Sequence, residues 1–130
     1  MRILVPPTYL RSAIVEGLTV FFDAEHEPDF KRAIGKLCRF YKIPMPKVVW
    51  FERLGHSNSD TYHGFCKDNG TIQLIHPENW KRKRKYKTRR YWLEVVLHEM
   101  GHYALWANNG RVTAETKADR FRDAILKGRQ

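Results

Sequence analysis

Apolar residues recur with a helical period from Pro28 onward: Phe30, Ala33, Ile34, Leu37, Cys38 and Tyr41 occupy one face at i, i+3, i+4, i+7, i+8 and i+11. Pro28 suits a first helical turn, Asp29 complements the helix dipole there, and Ile43-Pro44 ends the run. The pattern predicts an amphipathic helix that carries Cys38 as a buried free thiol. Upstream, Ile14, Leu18, Phe21 and Phe22 fit a helical face, yet Leu18 to Phe22 also reads as a short β-rich run, so residues 1–27 support no single assignment. Downstream, Lys47 to Phe51, Tyr62 to Lys67 and Thr71 to Ile75 read as strands, the last two joined as a hairpin through Asp68-Asn69-Gly70. After Ile75 the chain is expected to leave regular structure through His76-Pro77. Tyr91 to Ala107 is apolar on nearly every face, the signature of a helix at a domain centre, and Asn109-Gly110 stops it. Thr113 is a suitable N-cap for a last helix, Ala114 to Leu126, whose Ala118, Phe121, Ile125 and Leu126 supply a core face. The order helix, three strands, helix, helix predicts an α+β domain: a small antiparallel or mixed three-stranded sheet packed on a backing helix, a central helix and a C-terminal helix. At 130 residues and 42% hydrophobic, one domain with one core is expected over 1–130, and no repeat or linker divides it.

Charge sharpens this picture. The chain carries 24 Lys+Arg against 14 Asp+Glu, a formal net charge of +10. Eight of the positive charges fall in Lys81 to Arg90, KRKRKYKTRR, leaving +2 for the remainder and excluding a uniformly basic protein. Lys81, Arg82, Lys83, Arg84, Lys85, Lys87, Arg89 and Arg90 are candidate contacts to nucleic acid or to an acidic partner. Trp80, Tyr86, Tyr91 and Trp92 interleave with them, the ingredients of a single-strand-binding surface. Arg89 and Arg90 oppose the dipole of the helix that follows, which favours an external anion; a solvated loop is the plain reading of the same residues. Two cysteines, Cys38 and Cys66, are too few for a disulfide framework. No secretory segment and no run of ~18 apolar residues is present, so a cytoplasmic protein without a membrane partner is expected.

The chemistry lies in the central helix, at His98-Glu99-Met100-Gly101-His102. Histidines four apart project from one helix face and can share a metal ion, while Glu99, displaced round the helix, can reach a water on that ion without being a ligand. Zinc, inferred from the ligand types, needs three protein ligands and one open position for catalysis. The extended motif with Gly and a third His fails at Leu105 and Asn108, which excludes the metzincin pattern. Glu115 can be the third ligand, and Asp119, one turn later, can accept the free N–H of a ligand imidazole. The reach is feasible: ~9 Å of helix rise from His102 to Asn108 can be retraced by four extended residues spanning roughly 13 Å. Tyr103, His76, His63 and Tyr62 are candidate oxyanion stabilisers, and a substrate backbone could add along Thr71 to Ile75. Gly101 in mid-helix costs ~1 kcal/mol relative to Ala, which predicts close approach to the neighbouring sheet. His63 and Cys66 resemble half of a second metal site that lacks its other half.

This combination resembles the gluzincin clan of metallopeptidases, in which H-E-x-x-H is completed by a Glu in an E-x-x-x-D run on the next helix. The run Glu115-x-x-Ala118-Asp119-x-Phe121 is similar to the third-ligand helix of the compact ImmA/IrrE-type peptidases, and the small size and element order are similar to archaeal minigluzincins. The motif likeness covers Leu97 to Phe121, and the order of elements extends it to Pro28 onward. It implies a zincin-like fold, Zn2+ bound by His98, His102 and Glu115, Glu99 as general base, and Asp119 in support of a ligand.

Two functional classes follow. The first is a zinc-dependent endopeptidase acting on a protein or peptide, in which Glu99 takes a proton from a water acidified by the metal. The second is a nucleic-acid-binding module, or an inactive peptidase-like regulatory protein, with a structural zinc.

Overall fold

A computed structural model describes residues 3–52, 63–83, 89–110 and 114–129, the side chains of 82 and 83 apart. Its elements run α1 (Thr8–Ala24), α2 (Glu27–Tyr41), β1 (Val48–Phe51), β2 (Gly64–Cys66), β3 (Ile72–Ile75), α3 (Pro77–Lys83), α4 (Arg89–Asn109) and α5 (Glu115–Leu126). The architecture is α+β, with five helices and a small mixed sheet among the described residues.

The N-terminal ambiguity resolves as helix. Ile14, Leu18, Phe21 and Phe22 are all buried in α1, facing α2 and α4. Burying that stripe on a helix face overrides the β preference of the five-residue run. Gly17 permits the contact with α2, since a Cβ there would stand 2.9 Å from Cβ of Ala33. Helix α2 forms as its periodicity demands, with Glu27 and Asp29 in its first turn and Phe30, Ala33, Ile34, Leu37 and Cys38 buried. Cys38 is a free, buried thiol, and burial pushes its pKa up to about 11.

The sheet has the order β1-β3-β2, with β1 parallel and β2 antiparallel to β3. Val48 pairs with Ile72 and Phe51 with Ile75 on one side; Gly64 pairs with Leu74 and Cys66 with Ile72 on the other. The expected hairpin is present: the Lys67 N–H donates to the Thr71 carbonyl and the Gly70 N–H to that of Lys67, with Gly70 at φ 87°. Because β3 is central, both of its edges are occupied, so Thr71 to Ile75 offers no edge to an incoming backbone. Among the described strands, the edge position on that side belongs to β2.

After Ile75 the chain continues as α3 rather than as irregular structure. His76 starts it: its carbonyl accepts the N–H groups of Asn79 and Trp80, and its Nδ1 accepts that of Glu78 at 3.1 Å. Pro77 at the first position and Glu78 in the first turn are the sequence signal for this helix. Trp80, wholly buried, anchors it. Helix α4 buries most of its residues between Trp92 and Leu105, with Glu94, Val95 and His98 half-buried, and the Trp92 indole N–H donates to the Ile75 carbonyl at 3.1 Å, tying it to the sheet. The N-cap of α5 is Ala114 and makes no side-chain cap bond; Thr113, expected in that role, lies outside the described residues.

Gly101 marks a close helix–helix contact, and it is with α5, not with the sheet. A Cβ at Gly101 would lie 2.9 Å from Cβ of Phe121 and 3.0 Å from both Cα and the carbonyl oxygen of Ala118. Two of those three atoms are backbone, so neighbouring side chains cannot relieve the clash. Gly101→Ala therefore gains helix propensity but overpacks the contact, and a net loss of about 1–2 kcal/mol is expected. The measurement is a thermal melt, with the midpoint falling by about 5 °C; an unchanged or raised midpoint contradicts the packing account.

Candidate metal centre

His98 and His102 lie one turn apart on α4, with ring centroids 4.8 Å apart and planes at 85°. Glu115 reaches them from the first turn of α5: its Oε2 is 2.6 Å from His98 Nε2 and its Oε1 is 3.3 Å from His102 Nε2. One ligand atom from each of the three residues fits within a 4.8 Å span. Asp119, one turn along α5, places Oδ1 2.9 Å from His98 Nδ1. These are the four residues singled out by spacing, and the fold brings them together.

The donor set fits a cation on chemical grounds. An imidazole that donates its Nδ1–H to Asp119 presents a lone pair at Nε2. That lone pair faces a carboxylate oxygen of Glu115, also an acceptor, at 2.6 Å. Two acceptors at this distance require a positive charge between them, either a proton or a metal ion. Burial lowers the His102 pKa and so favours the neutral, ligating imidazole. His102 Nδ1 is fully buried and has no hydrogen-bond partner among the described residues.

Glu99 is 7% exposed, and its carboxylate finds no hydrogen-bond donor among the described residues. Burial pushes it up to about 7, with His98 pulling it down and Glu115 pushing it further up. It borders a cleft of about 500 Å³ between β2 and α4 that also meets His98, His102, Glu115, Asp119 and His63.

The remaining sequence candidates separate. His63 lines the cleft, its ring 5.4 Å from that of Tyr91. Tyr103 is committed elsewhere, its hydroxyl donating to the Pro44 carbonyl at 2.6 Å within the core. His76 packs between Phe21 and Trp50 and caps α3, away from the cleft lining. Tyr62 lies outside the described residues. His63 and Cys66 gain no third ligand among the described residues, and burial, with Glu99 and Asp68 adding to it, pushes the Cys66 thiol up to about 12. A different cluster, Glu25, His76 and Glu78, is already served by a cation, since Lys81 Nζ lies 2.8 Å from Glu25.

The basic segment is used internally at both ends. Lys81 Nζ pairs with Glu25, donates to the Phe22 carbonyl at 2.9 Å and sits 5.2 Å over the Phe22 ring. Arg89 pairs with Asp23 at 2.9 Å and Arg90 with Glu94 at 3.4 Å. Side-chain partners thus offset the dipole conflict of Arg89 and Arg90, and an external anion is not needed to explain them. Trp80 and Trp92 are buried and cannot stack on bases. Arg82, Lys83, Arg84, Lys85, Lys87 and Tyr86 have side chains outside the described residues.

Sequence reasoning missed Arg122, which donates to Asp119 at 3.0 Å and to Asp123 at 3.1 Å, and Glu94, which lines the cleft. Both were detectable as continuations of helical stripes, Glu115-Asp119-Arg122 and Glu94-His98-His102. Asp68, at the other end of the cleft, carried no such signal. No helix among the described residues is long and apolar enough to cross a membrane. Comparison with family models, with curated proteins and with solved structures finds no match.

The Glu99 environment predicts a pH dependence of the metal-free protein. A carboxyl raised from 4.5 to about 7 binds its proton more tightly in the folded state, so its contribution to stability falls as pH rises from 4.5 through about 7 and is constant beyond. The loss is on the order of 3 kcal/mol. Chelator-treated wild type and Glu99→Gln compared by denaturant unfolding at pH 5 and pH 8 should differ more at pH 8, with the variant more stable; parallel pH profiles contradict the buried-carboxyl account.

Proposed function

We propose that the protein is a metal-dependent endopeptidase of the gluzincin type with a zincin-like fold. The observation that carries this reading is the convergence of His98, His102 and Glu115 from two helices, with Asp119 behind His98 and the buried Glu99 carboxyl beside them. Zinc held by His98, His102 and Glu115 would supply Lewis acidity, lowering the pKa of a water toward ~7 and polarising a peptide carbonyl.

The chain's own residues do the rest. Asp119 holds the His98 tautomer that leaves Nε2 free to ligate, and Arg122 in turn holds Asp119. Glu99, on the cleft wall beside the three candidate ligands, can take a proton from water and return it to the leaving amine. Strand β2, at the edge of the sheet among the described residues, flanks the cleft and is placed to line an extended substrate. His63 is the sequence candidate left on the cleft wall to stabilise an oxyanion.

A structural zinc in a nucleic-acid module has less support. Structural sites close their coordination with four protein ligands, whereas three converge here among the described residues, beside an open cleft. The aromatic residues needed for stacking include two that are buried, Trp80 and Trp92.

Glu99→Gln should keep metal content and fold while lowering cleavage of an unfolded protein substrate by about 10²-fold or more. Glu115→Ala should instead lose metal, read by elemental analysis of the purified protein. Equal metal content in wild type and Glu115→Ala, or full cleavage by Glu99→Gln, overturns the assignment.

A further inference from the structure

Among the described residues the lining of the cleft is acidic although the chain is basic: it contains five carboxyl groups, from Asp68, Glu94, Glu99, Glu115 and Asp119, and one guanidinium, from Arg122, in a chain of net charge +10. Arg122 is occupied by Asp119 and Asp123. Glu115 and Asp119 face the imidazoles. Glu99, buried and without a hydrogen-bond donor among the described residues, opens into the same cleft. Asp68 and Glu94 remain on the walls.

These two sit at opposite ends. A Cβ at Gly64 would lie 2.9 Å from Val95 and 3.0 Å from Glu99, while one at Gly70 would lie 2.5 Å from the Trp106 ring. Strand β2 and its turn therefore run beside α4 in the same direction, from Val95 toward Trp106, a rise of ~16 Å that matches about five extended residues. Glu94 marks the N-terminal end of this track and is shared with Arg90. Asp68 marks the other end, is exposed, and forms no ion pair with any described residue.

We propose that the cleft selects polypeptides carrying a lysine or arginine side chain at the Asp68 end, within about two residues of the reacting carbonyl. This rests on the metallopeptidase reading, and it names Asp68 as the specificity-determining residue. The ammonium or guanidinium of the substrate pairs with Asp68, whereas Glu94 is already offset by Arg90. The net charge of the whole chain predicts the opposite preference, for acidic peptides, so the two causes are separable.

The experiment uses two short fluorescent peptides of one scaffold, Ala alternating with Lys or with Glu, and the zinc-loaded Glu99→Gln protein, so that binding is read without turnover. The Lys peptide is expected to bind about fivefold more tightly by anisotropy at low salt, the scale of one exposed pair gained against one like-charge contact. Asp68→Asn should reduce the ratio to within about twofold, and Asp68→Lys should invert it, with the salt sensitivity of an exposed pair. Equal binding of the two peptides, tighter binding of the Glu peptide by the unmodified Asp68 protein, or a ratio unmoved in both Asp68 variants overturns the proposal. Parallel cleavage assays on the wild type separate it from the reading it rests on: cleavage without charge preference removes the Asp68 role alone, whereas Asp68-dependent Lys preference without any cleavage supports the cation site and removes the peptidase assignment.

Discussion

Contact between α4 and α5 at Gly101 is the constraint on which the site depends. Glu115 and Asp119 sit on one helix and His98 and His102 on the other, and the four meet only if the two backbones approach closely. Gly101 against Ala118 and Phe121 allows that approach, since a single methyl group would fall 3.0 Å from the Ala118 backbone. Gly101, between His98 and His102, is thus a packing residue, and the same helix pair supplies the core and the candidate ligands.

Burial and chemistry are coupled through α4. A helix that is apolar all round has to be surrounded, here by α5, the sheet and α1. Placing His102 and Glu99 in such a helix removes both from water, which lowers one pKa and raises the other. The burial that lets α4 form the centre of the core thus also sets the protonation of its two polar side chains.

The basic segment, the most conspicuous feature of the composition, proved to be partly structural. Lys81 and Arg89 are held at the C-terminal end of α1 through Glu25, Asp23 and the Phe22 carbonyl, a location where a helix dipole favours cations. Among the described residues the charge that faces the cleft is of the opposite sign, carried by side chains of α4, α5 and the turn after β2.

Residue spacing alone determined a large part of the protein. The period of 3.6 in α2, the Asn-Gly hairpin, the fully apolar central helix and the pairing of His98 with His102 are local properties, set by which side chains share a face within a few residues. Tertiary structure decided what depends on distant partners. Leu18 to Phe22 became helix because α2 and α4 cover that face, and β3 lost its free edges because β1 joins it in parallel from across the chain. Gly101 found α5 instead of the sheet, Tyr103 was taken by Pro44 Oand His76 by α3, and Asp68 was carried to the cleft. Local pattern records which faces are apolar and which residues can cooperate; only the assembled layers determine which atom stands opposite which.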